Sequence, residues 1–281
     1  MPAEARFIVQ APRDLARWVA HFDFATLPVL TSTAEELEML RSVEDTVDAR
    51  QLADTIVVDP LMTLKLLGHV SRLRRGRGGS DTETVLEALV MLGVSPFFAA
   101  FGPQETVDAR LAGHPEALQG FTHVLNRSRR AARFAMGFAV HRMDQDAAVI
   151  HEAALLHDFA ELLLWLSAPT LALQLVRRQQ ADTSLRSAAA QRELLHIELN
   201  ELENALMRRW GLPALLVLIT DEHATVLTAQ MRNVKLAIRV ARHSTWGWDN
   251  PALPDDLRDI GQLLSISPEA VGRLLQEIDA D

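Results

Sequence analysis

The stretch LHIELNELENALMRRWGLP, residues 195–213, shows how this chain folds. Its apolar residues recur every three or four positions, which is the spacing of one face of an α-helix. Gly211 can end that helix in a left-handed conformation, and Pro213 suits the first turn of the next one. The stretch therefore predicts two helices joined by a sharp corner.

The same spacing continues in both directions along the chain, for example at Leu37, Leu40 and Val43, and sustained alternation of apolar and polar residues is missing. The fold class is therefore predicted to be all-α. At four places a side chain that can cap a helix precedes a first-turn proline or pairs with an acidic residue. Helix starts are expected at these places: Ser32 with Glu35, Asp59-Pro60, Ser95-Pro96 and Ser267-Pro268-Glu269.

Composition narrows the class of protein. The 281 residues include no cysteine, which excludes disulfides, thiolate catalysis and Cys-ligated zinc. The net charge of -9 disfavours a nucleic-acid partner. Polar residues interrupt both the first ten residues and the apolar region 153–176, so we expect no signal sequence, no membrane span and a cytoplasmic location.

Two groups of helix breakers lie close together between Phe101 and Pro115. They predict a junction between an N-terminal helical lobe of residues 1–105 and a second helical lobe of residues 106–281. Another glycine-rich stretch, residues 72–80, is too short for a domain linker and is predicted to be a loop between two helices.

The first candidate site is the pair His157-Asp158, late in an apolar helix that is predicted to start near Asp146. Glu161 lies one turn further on, so it would add a donor on the same side. A metal would still need ligands from other helices, and the favoured interpretation of the pair alone is hydrogen bonding inside a helical core. His223, near a predicted helix end, is a further candidate ligand.

Two arginine clusters form the second candidate, a site for anions or for a partner. Guanidinium groups can hold phosphate or carboxylate through paired hydrogen bonds, although solvated faces and internal salt bridges explain such clusters more simply. The glycine-rich loop lacks the lysine and the spacing of a P-loop. The clusters comprise Arg72, Arg74, Arg75 and Arg77 in the loop, and Arg127, Arg130 and Arg133 near one helical face.

Several segments, by their order and spacing, resemble the HDOD family, the HD-related output domain of bacterial signalling proteins. The resemblance covers roughly residues 20–275. It implies a two-lobed all-α fold whose second lobe is HD-like. The matching segments are Leu27-Pro28-Val29-Leu30, the Asp-Pro helix within 56–67, the Leu-Gly stop within 88–93, the HD motif within 153–158, and the corner within 207–213.

The parent HD superfamily consists of metal-dependent phosphohydrolases, and this chain departs from their pattern. Arg127 stands where the resemblance places the first histidine ligand, and Phe159-Ala160-Glu161 follows the HD pair in place of Gly-Lys. The metal ligands that remain, if any metal binds, are His157, Asp158 and His223. We therefore expect a degenerate site with no cofactor and no hydrolysis, in which Arg127 pairs with Asp158.

The resemblance implies a non-catalytic regulatory protein that binds signalling proteins in trans, with a partner and an oligomeric state that the sequence does not give. The first places to look for the partner are the groove between the lobes and the arginine cluster 72–77. The main alternative is a residual metal-dependent phosphohydrolase that acts on a nucleotide or phosphoester through His157, Asp158, Glu161 and His223. The other alternative is a module that binds an anion or a nucleotide second messenger through the arginines.

Overall fold

The computed structural model describes residues 7–75, 82–182, 185–221 and 227–280. In these ranges the chain forms helices and no strand, which confirms the predicted all-α class. Two short 3-10 turns cover Phe24–Thr26 and Glu44–Thr46. The helices are α1 (Leu15–His21), α2 (Thr31–Ser42), α3 (Ala49–Ile56), α4 (Pro60–Arg74), α5 (Val85–Leu92), α6 (Val94–Ala100), α7 (Val107–Arg110), α8 (Pro115–His141), α9 (Ala147–Leu156), α10 (Phe159–Ser167), α11 (Pro169–Ala181), α12 (Ser187–Leu195), α13 (Leu199–Trp210), α14 (Ala214–Ile219), α15 (Ala229–His243), α16 (Leu253–Leu264) and α17 (Pro268–Ala280).

The chain divides into two compact units, each built from two separate segments. The first unit comprises residues 1–124 and 158–213, and the second comprises residues 125–157 and 214–281. Residue 105 lies inside the first unit because backbone hydrogen bonds hold its segment there. Val29 N donates to Glu105 O and Val107 N donates to Val29 O, both at 2.9 Å. This division by packing differs from the predicted junction at residue 105, and the lobes of residues 1–105 and 106–281 stay a prediction.

Helix α13 forms the centre of the first unit, where it packs against α1, α4 and α10. Its last residue, Trp210, is 3% exposed and lies between two aromatic rings, with centroid distances of 6.1 Å to Phe24 and 5.8 Å to Phe159. The buried indole of Trp18 donates from Nε1 to Leu195 O at 2.9 Å. Large aromatic side chains thus join the N-terminal helix to helices far along the chain.

Helix α15 forms the centre of the second unit, where it packs against α9, α14 and α16, while α17 packs on α16. A buried carboxylate joins two of these helices. Asp256 of α16 is 1% exposed and forms an ion pair with Arg239 Nε and a hydrogen-bonded contact with His243 Nδ1 of α15, both at 2.6 Å. Because a buried charge needs such partners, this cluster fixes the contact between α15 and α16.

The four predicted helix starts have different outcomes. Asp59 accepts hydrogen bonds from the first turn of α4, and Ser267 accepts one from the first turn of α17, so these two are confirmed. Helices also begin within one residue of Ser32 and Ser95, but the predicted capping role of these serines is wrong, because each lies inside its helix and neither start has a side-chain cap. The start of α2 is instead fixed by a contact with a distant residue: Leu30 N donates to Asp59 Oδ2 at 2.8 Å.

The predicted corner after α13 is confirmed. Gly211 has a φ of 71° and follows the last residue of the helix, and α14 begins directly after Pro213. A Cβ atom on Gly211 would lie 2.5 Å from Ser71 Oγ on α4. Glycine is therefore required here twice, for the left-handed backbone and for the close approach of α4.

None of the described helices is by itself long and apolar enough to cross a membrane. The run Ala147–Ser167 and helix α11 reach that length and composition only together, across a bend of 117°.

Candidate functional site

The HD pair occupies the break between two helices. Helix α9 ends at Leu156, and Asp158, with φ -105° and ψ 18°, precedes the first residue of α10. The prediction that the pair lies inside one helix is therefore wrong, because the backbone leaves the helical region at Asp158. His157 and Asp158 are 9% and 8% exposed. The border between the two units also falls between them, so the two residues belong to different units.

Asp158 begins helix α10 in the first unit. Its carbonyl oxygen accepts hydrogen bonds from Glu161 N at 3.0 Å and from Leu162 N at 3.2 Å. Glu161 lies in the first turn of the helix and is partly buried. Phe159 is completely buried, and its ring is the one that stacks against Trp210. The segment that follows the HD pair is therefore used to form the core.

His157 follows α9 in the second unit. Near the start of that helix, burial lowers the pKa of His151 to about 4, so its ring is neutral at physiological pH. Arg127 lies on α8, also in the second unit, and is partly exposed. His223 lies outside the described residues. The expected pairing of Arg127 with Asp158 joins residues of different units and stays a prediction.

The donor set in the described part of the chain does not by itself fit a metal ion. No group of three or more His, Asp or Glu side chains comes together there in an arrangement that could hold one. A metal that activates water normally has three protein ligands and an open position. We therefore derive no step that depends on a metal.

The arginines near residue 72 make contacts within the first unit. Arg72 and Arg74 belong to helix α4, so the prediction that they lie in a loop is wrong. The guanidinium group of Arg72 lies 4.9 Å from the ring centroid of Phe24. Arg75 donates from Nη2 to Arg209 O at 3.0 Å, which satisfies a carbonyl at the end of α13. Arg77 lies outside the described residues.

The arginines of α8 make contacts within the second unit. Arg130 holds Asp279 in a two-pronged salt bridge, with Nε and Nη2 each 2.7 Å from a carboxylate oxygen. It also donates from Nη1 to Ser244 O at 2.8 Å and lies 5.2 Å from the ring centroid of Trp248. Arg133 reaches the same carboxylate at 3.6 Å. These contacts use the donor groups that an anion would need.

A buried lysine of the Asp-Pro helix, which was not among the candidate site residues, joins three segments of the first unit. Lys65 of α4 is 5% exposed and donates from Nζ to Leu27 O and to Gln104 Oε1, both at 2.6 Å. Burial lowers the pKa of Lys65 to about 8, although the carboxylate of Asp59 acts in the opposite direction. The sequence held one signal for it, a single lysine within an otherwise apolar helical run at residues 61–67.

Asp59 is a buried acidic residue whose charge acts on Lys65. It is completely buried, and its carboxylate accepts hydrogen bonds from three backbone N–H groups, those of Leu30, Leu61 and Met62. Burial raises the pKa of Asp59, while these three donors favour its charged form. Asp59, through Leu30, and Lys65, through Leu27, together tie the segment at residues 27–30 to helix α4.

The first unit also contains a cavity of about 370 Å³ beside helix α10. Its apolar wall includes Phe22, Leu27, Leu163 and Leu166. Its charged lining residues are Asp23, Glu105 and Arg110. No sequence pattern pointed to this cavity, because its walls come from segments that are far apart in the chain.

Comparisons with known proteins bear on the family and on the fold. The HDOD domain family matches residues 27–226. The response regulator MmoQ from Methylococcus capsulatus superposes with a TM-score of 0.66 and 21% identity, over 89% of this chain and 98% of that one. A virulence factor from Campylobacter jejuni gives 0.61 and 16% identity, over 90% of each chain. An HDOD domain protein from Geobacter sulfurreducens gives 0.50 and 16%, over 95% of each. No curated protein matches the chain.

Proposed function

We propose that this chain, which belongs to the HDOD domain family, is a non-catalytic signalling protein that binds other signalling proteins in trans. The family match covers residues 27–226, well over half of the chain, and it confirms the resemblance inferred from the sequence motifs. The bacterial cytoplasm as its location, and protein rather than nucleic acid as its partner, are parts of the same proposal.

The observation that carries the proposal is that the chain has a buried core residue directly after the HD pair and an arginine at an expected ligand position. Phe159, directly after the pair, is completely buried against Trp210, so it is committed to the core. At the position where the resemblance places a histidine ligand the chain has Arg127, which carries a fixed positive charge and cannot bind a cation. These substitutions favour a scaffold over a hydrolase.

The signalling role draws its support from the family and from one structural relative. MmoQ is named as a response regulator and shares this fold over most of both chains. A response regulator acts by passing a signal to another molecule. We extend that role to this chain, and assign it a protein partner, by analogy of fold and family.

Metal binding tests the proposal most directly. The protein is purified without chelator, its metal content is measured, and its thermal unfolding is followed with added Mn²⁺, Mg²⁺ or Zn²⁺. A cation that binds the native state raises the unfolding temperature by mass action. We expect no stoichiometric metal, and the same small response to each ion from the wild type and from Asp158→Ala.

Two further variants complete this experiment. Asp54→Ala removes an exposed carboxylate from α3 and controls for the loss of one negative charge. Arg127→Ala tests the predicted counter-ion, which is refuted if stability and metal response both stay unchanged. A stoichiometric ion that is lost from Asp158→Ala but kept by Asp54→Ala would contradict the non-catalytic role, and hydrolysis of phosphoesters would then be measured.

A further inference from the structure

The cavity beside α10 is closed on one side by an N-terminal strap, residues 7–12, that crosses the first unit. Ile8 N donates to Ser167 O at 2.7 Å, at the end of α10. Further along the strap, Pro12 O lies 3.1 Å from the ring nitrogen Nδ1 of His196. Phe7 and Ile8 both line the cavity. The strap is therefore held at two points and forms a wall of a defined space.

The size and lining of this space are those of a site for a small molecule. Its volume of about 370 Å³ falls within the range of roughly 300–1,000 Å³ that ligand pockets span. Leu163 and Leu166, both at most 3% exposed, form an apolar surface on the side of α10. Asp23 and Glu105 supply charge on other sides. Apolar and polar side chains both line this space, as they do in ligand sites.

Several donor groups in the lining already bind acceptors inside the protein. Arg110 binds Glu105 through Nε at 2.7 Å and through Nη2, and Nη2 also donates to Thr26 O at 3.1 Å. The hydroxyl of Ser167 donates to Leu163 O at 2.6 Å. A ligand that brings donors of its own would find carboxylate acceptors in the same lining.

The charges in the lining favour a cation. The lining contains two carboxylates, those of Asp23 and Glu105, one guanidinium, that of Arg110, and the imidazole of His21, so carboxylates outnumber guanidinium groups. The hydrogen bond from Arg110 holds the pKa of Glu105 below its usual value, which keeps that carboxylate charged. Asp23 is exposed, and its Oδ1 accepts a hydrogen bond from Ala25 N at 3.0 Å. That bond occupies one carboxylate oxygen of Asp23, and we assign the other, Oδ2, to the ligand.

We propose that this cavity binds a small organic cation with an apolar group, in which an ammonium or guanidinium group contacts Asp23 and the apolar group contacts Leu163 and Leu166. The site would give the protein a chemical input in addition to its protein partners. The inference rests on the first unit alone and does not depend on the adaptor role.

The test compares two probes of the same size and opposite charge. Binding of 3-phenylpropylamine and of 3-phenylpropionate to the full chain is measured by calorimetry, with both probes in the millimolar range. We expect the amine to bind about tenfold more tightly, because the amine is attracted to the carboxylates and the carboxylate probe is repelled by them. Equal binding of the two probes, or binding of neither, would overturn the proposal.

A matched pair of variants locates the site. Asp23→Asn keeps an acceptor for the Ala25 N–H group but removes the charge, and it should weaken amine binding about fivefold. Asp14→Asn makes the same change at the start of α1, where the side chain accepts from Arg17 N, and should leave binding unchanged. Equal weakening by both variants would refute the assignment to Asp23. The comparison of probes on the wild type needs neither variant, so it decides the matter even if one of them fails to fold.

Discussion

Lys65 should make this protein more stable in mild alkali than at neutral pH. Burial lowers the pKa of its amine from 10.5 to about 8, because the charged form loses its hydration. Between these two values the unfolded chain holds a proton that the native state has released, so the free energy of unfolding rises with pH. The neutral amine can still donate to Leu27 O and to Gln104 Oε1, so the native contacts survive the loss of charge.

The size of the effect follows from the shift. The difference between 10.5 and about 8 is roughly 2.5 pH units, and each unit corresponds to about 1.36 kcal/mol, which gives about 3 kcal/mol for the whole window. The chain is well suited to the measurement. It has no tyrosine and no cysteine, and Lys65 and Lys235 are its only lysines. Few side chains can therefore titrate between pH 8 and 10.5 and obscure the change.

The assay is urea unfolding at a series of pH values from about 7.5 to about 10.5, with the midpoint and slope fitted at each pH. The wild type is compared with Lys65→Met, which removes the titrating group, and with Lys235→Met, which removes the other lysine. We expect stability to rise with pH in the wild type and in Lys235→Met, and the rise to be absent in Lys65→Met.

The comparison depends on the change with pH and not on absolute stability, because Lys65→Met also loses two hydrogen bonds at every pH. Lys235→Met controls for the loss of one positive charge, because each variant lacks one of the two lysines. If wild type and Lys65→Met show the same dependence on pH, the reasoning about the buried amine is refuted.

Two other predictions concern stability. The pKa of His151 is about 4, against an ordinary 6.5, so the free energy of unfolding decreases as the pH falls through this range, by about 2 kcal/mol at pH 5. In urea unfolding, His151→Gln should abolish that part of the loss. A loss of the same size in the variant would contradict this prediction. In thermal melts, Gly120→Ala should destabilise by about 1–3 kcal/mol, because its Cβ would lie 2.4 Å from the ring of Trp165. Gly272→Ala, which meets open space in α17, should instead stabilise by about 0.5–1 kcal/mol, and equal effects of the two changes would show that the contact with Trp165 is not the cause.

Sequence patterns predicted the fold well where the cause is local. The corner at Gly211 and the caps at Asp59 and Ser267 depend on residues within a few positions of one another, and all three are confirmed. Ser32 does not cap α2, because Leu30 N donates to Asp59, which lies 29 positions from Leu30, and this bond fixes where the helix begins. Such a contact leaves no trace in the local pattern.

The candidate site was predicted less completely, for the same reason. The motif around His157 and Asp158 identified the family, but the pattern of apolar residues runs through the pair and hides the break between α9 and α10. Two features depend on tertiary contacts alone. Lys65 donates hydrogen bonds to residues 38 and 39 positions away, and the cavity is lined by both Leu27 and Leu163. A single sequence carries no periodic signal for contacts of this kind.

The interleaved order of the two units matters during synthesis. The first unit needs residues 158–213 to complete its core, and the hydrogen bond from Trp18 to Leu195 spans 177 positions. At about 5–20 residues per second, roughly 5–20 s separate the emergence of residue 124 from that of residue 213. During that interval the apolar faces of the first helices stay uncovered, so the nascent chain is exposed to aggregation and to proteases. A gene fragment that stops at residue 124 makes this delay permanent, because it encodes only the first of the two segments of that core.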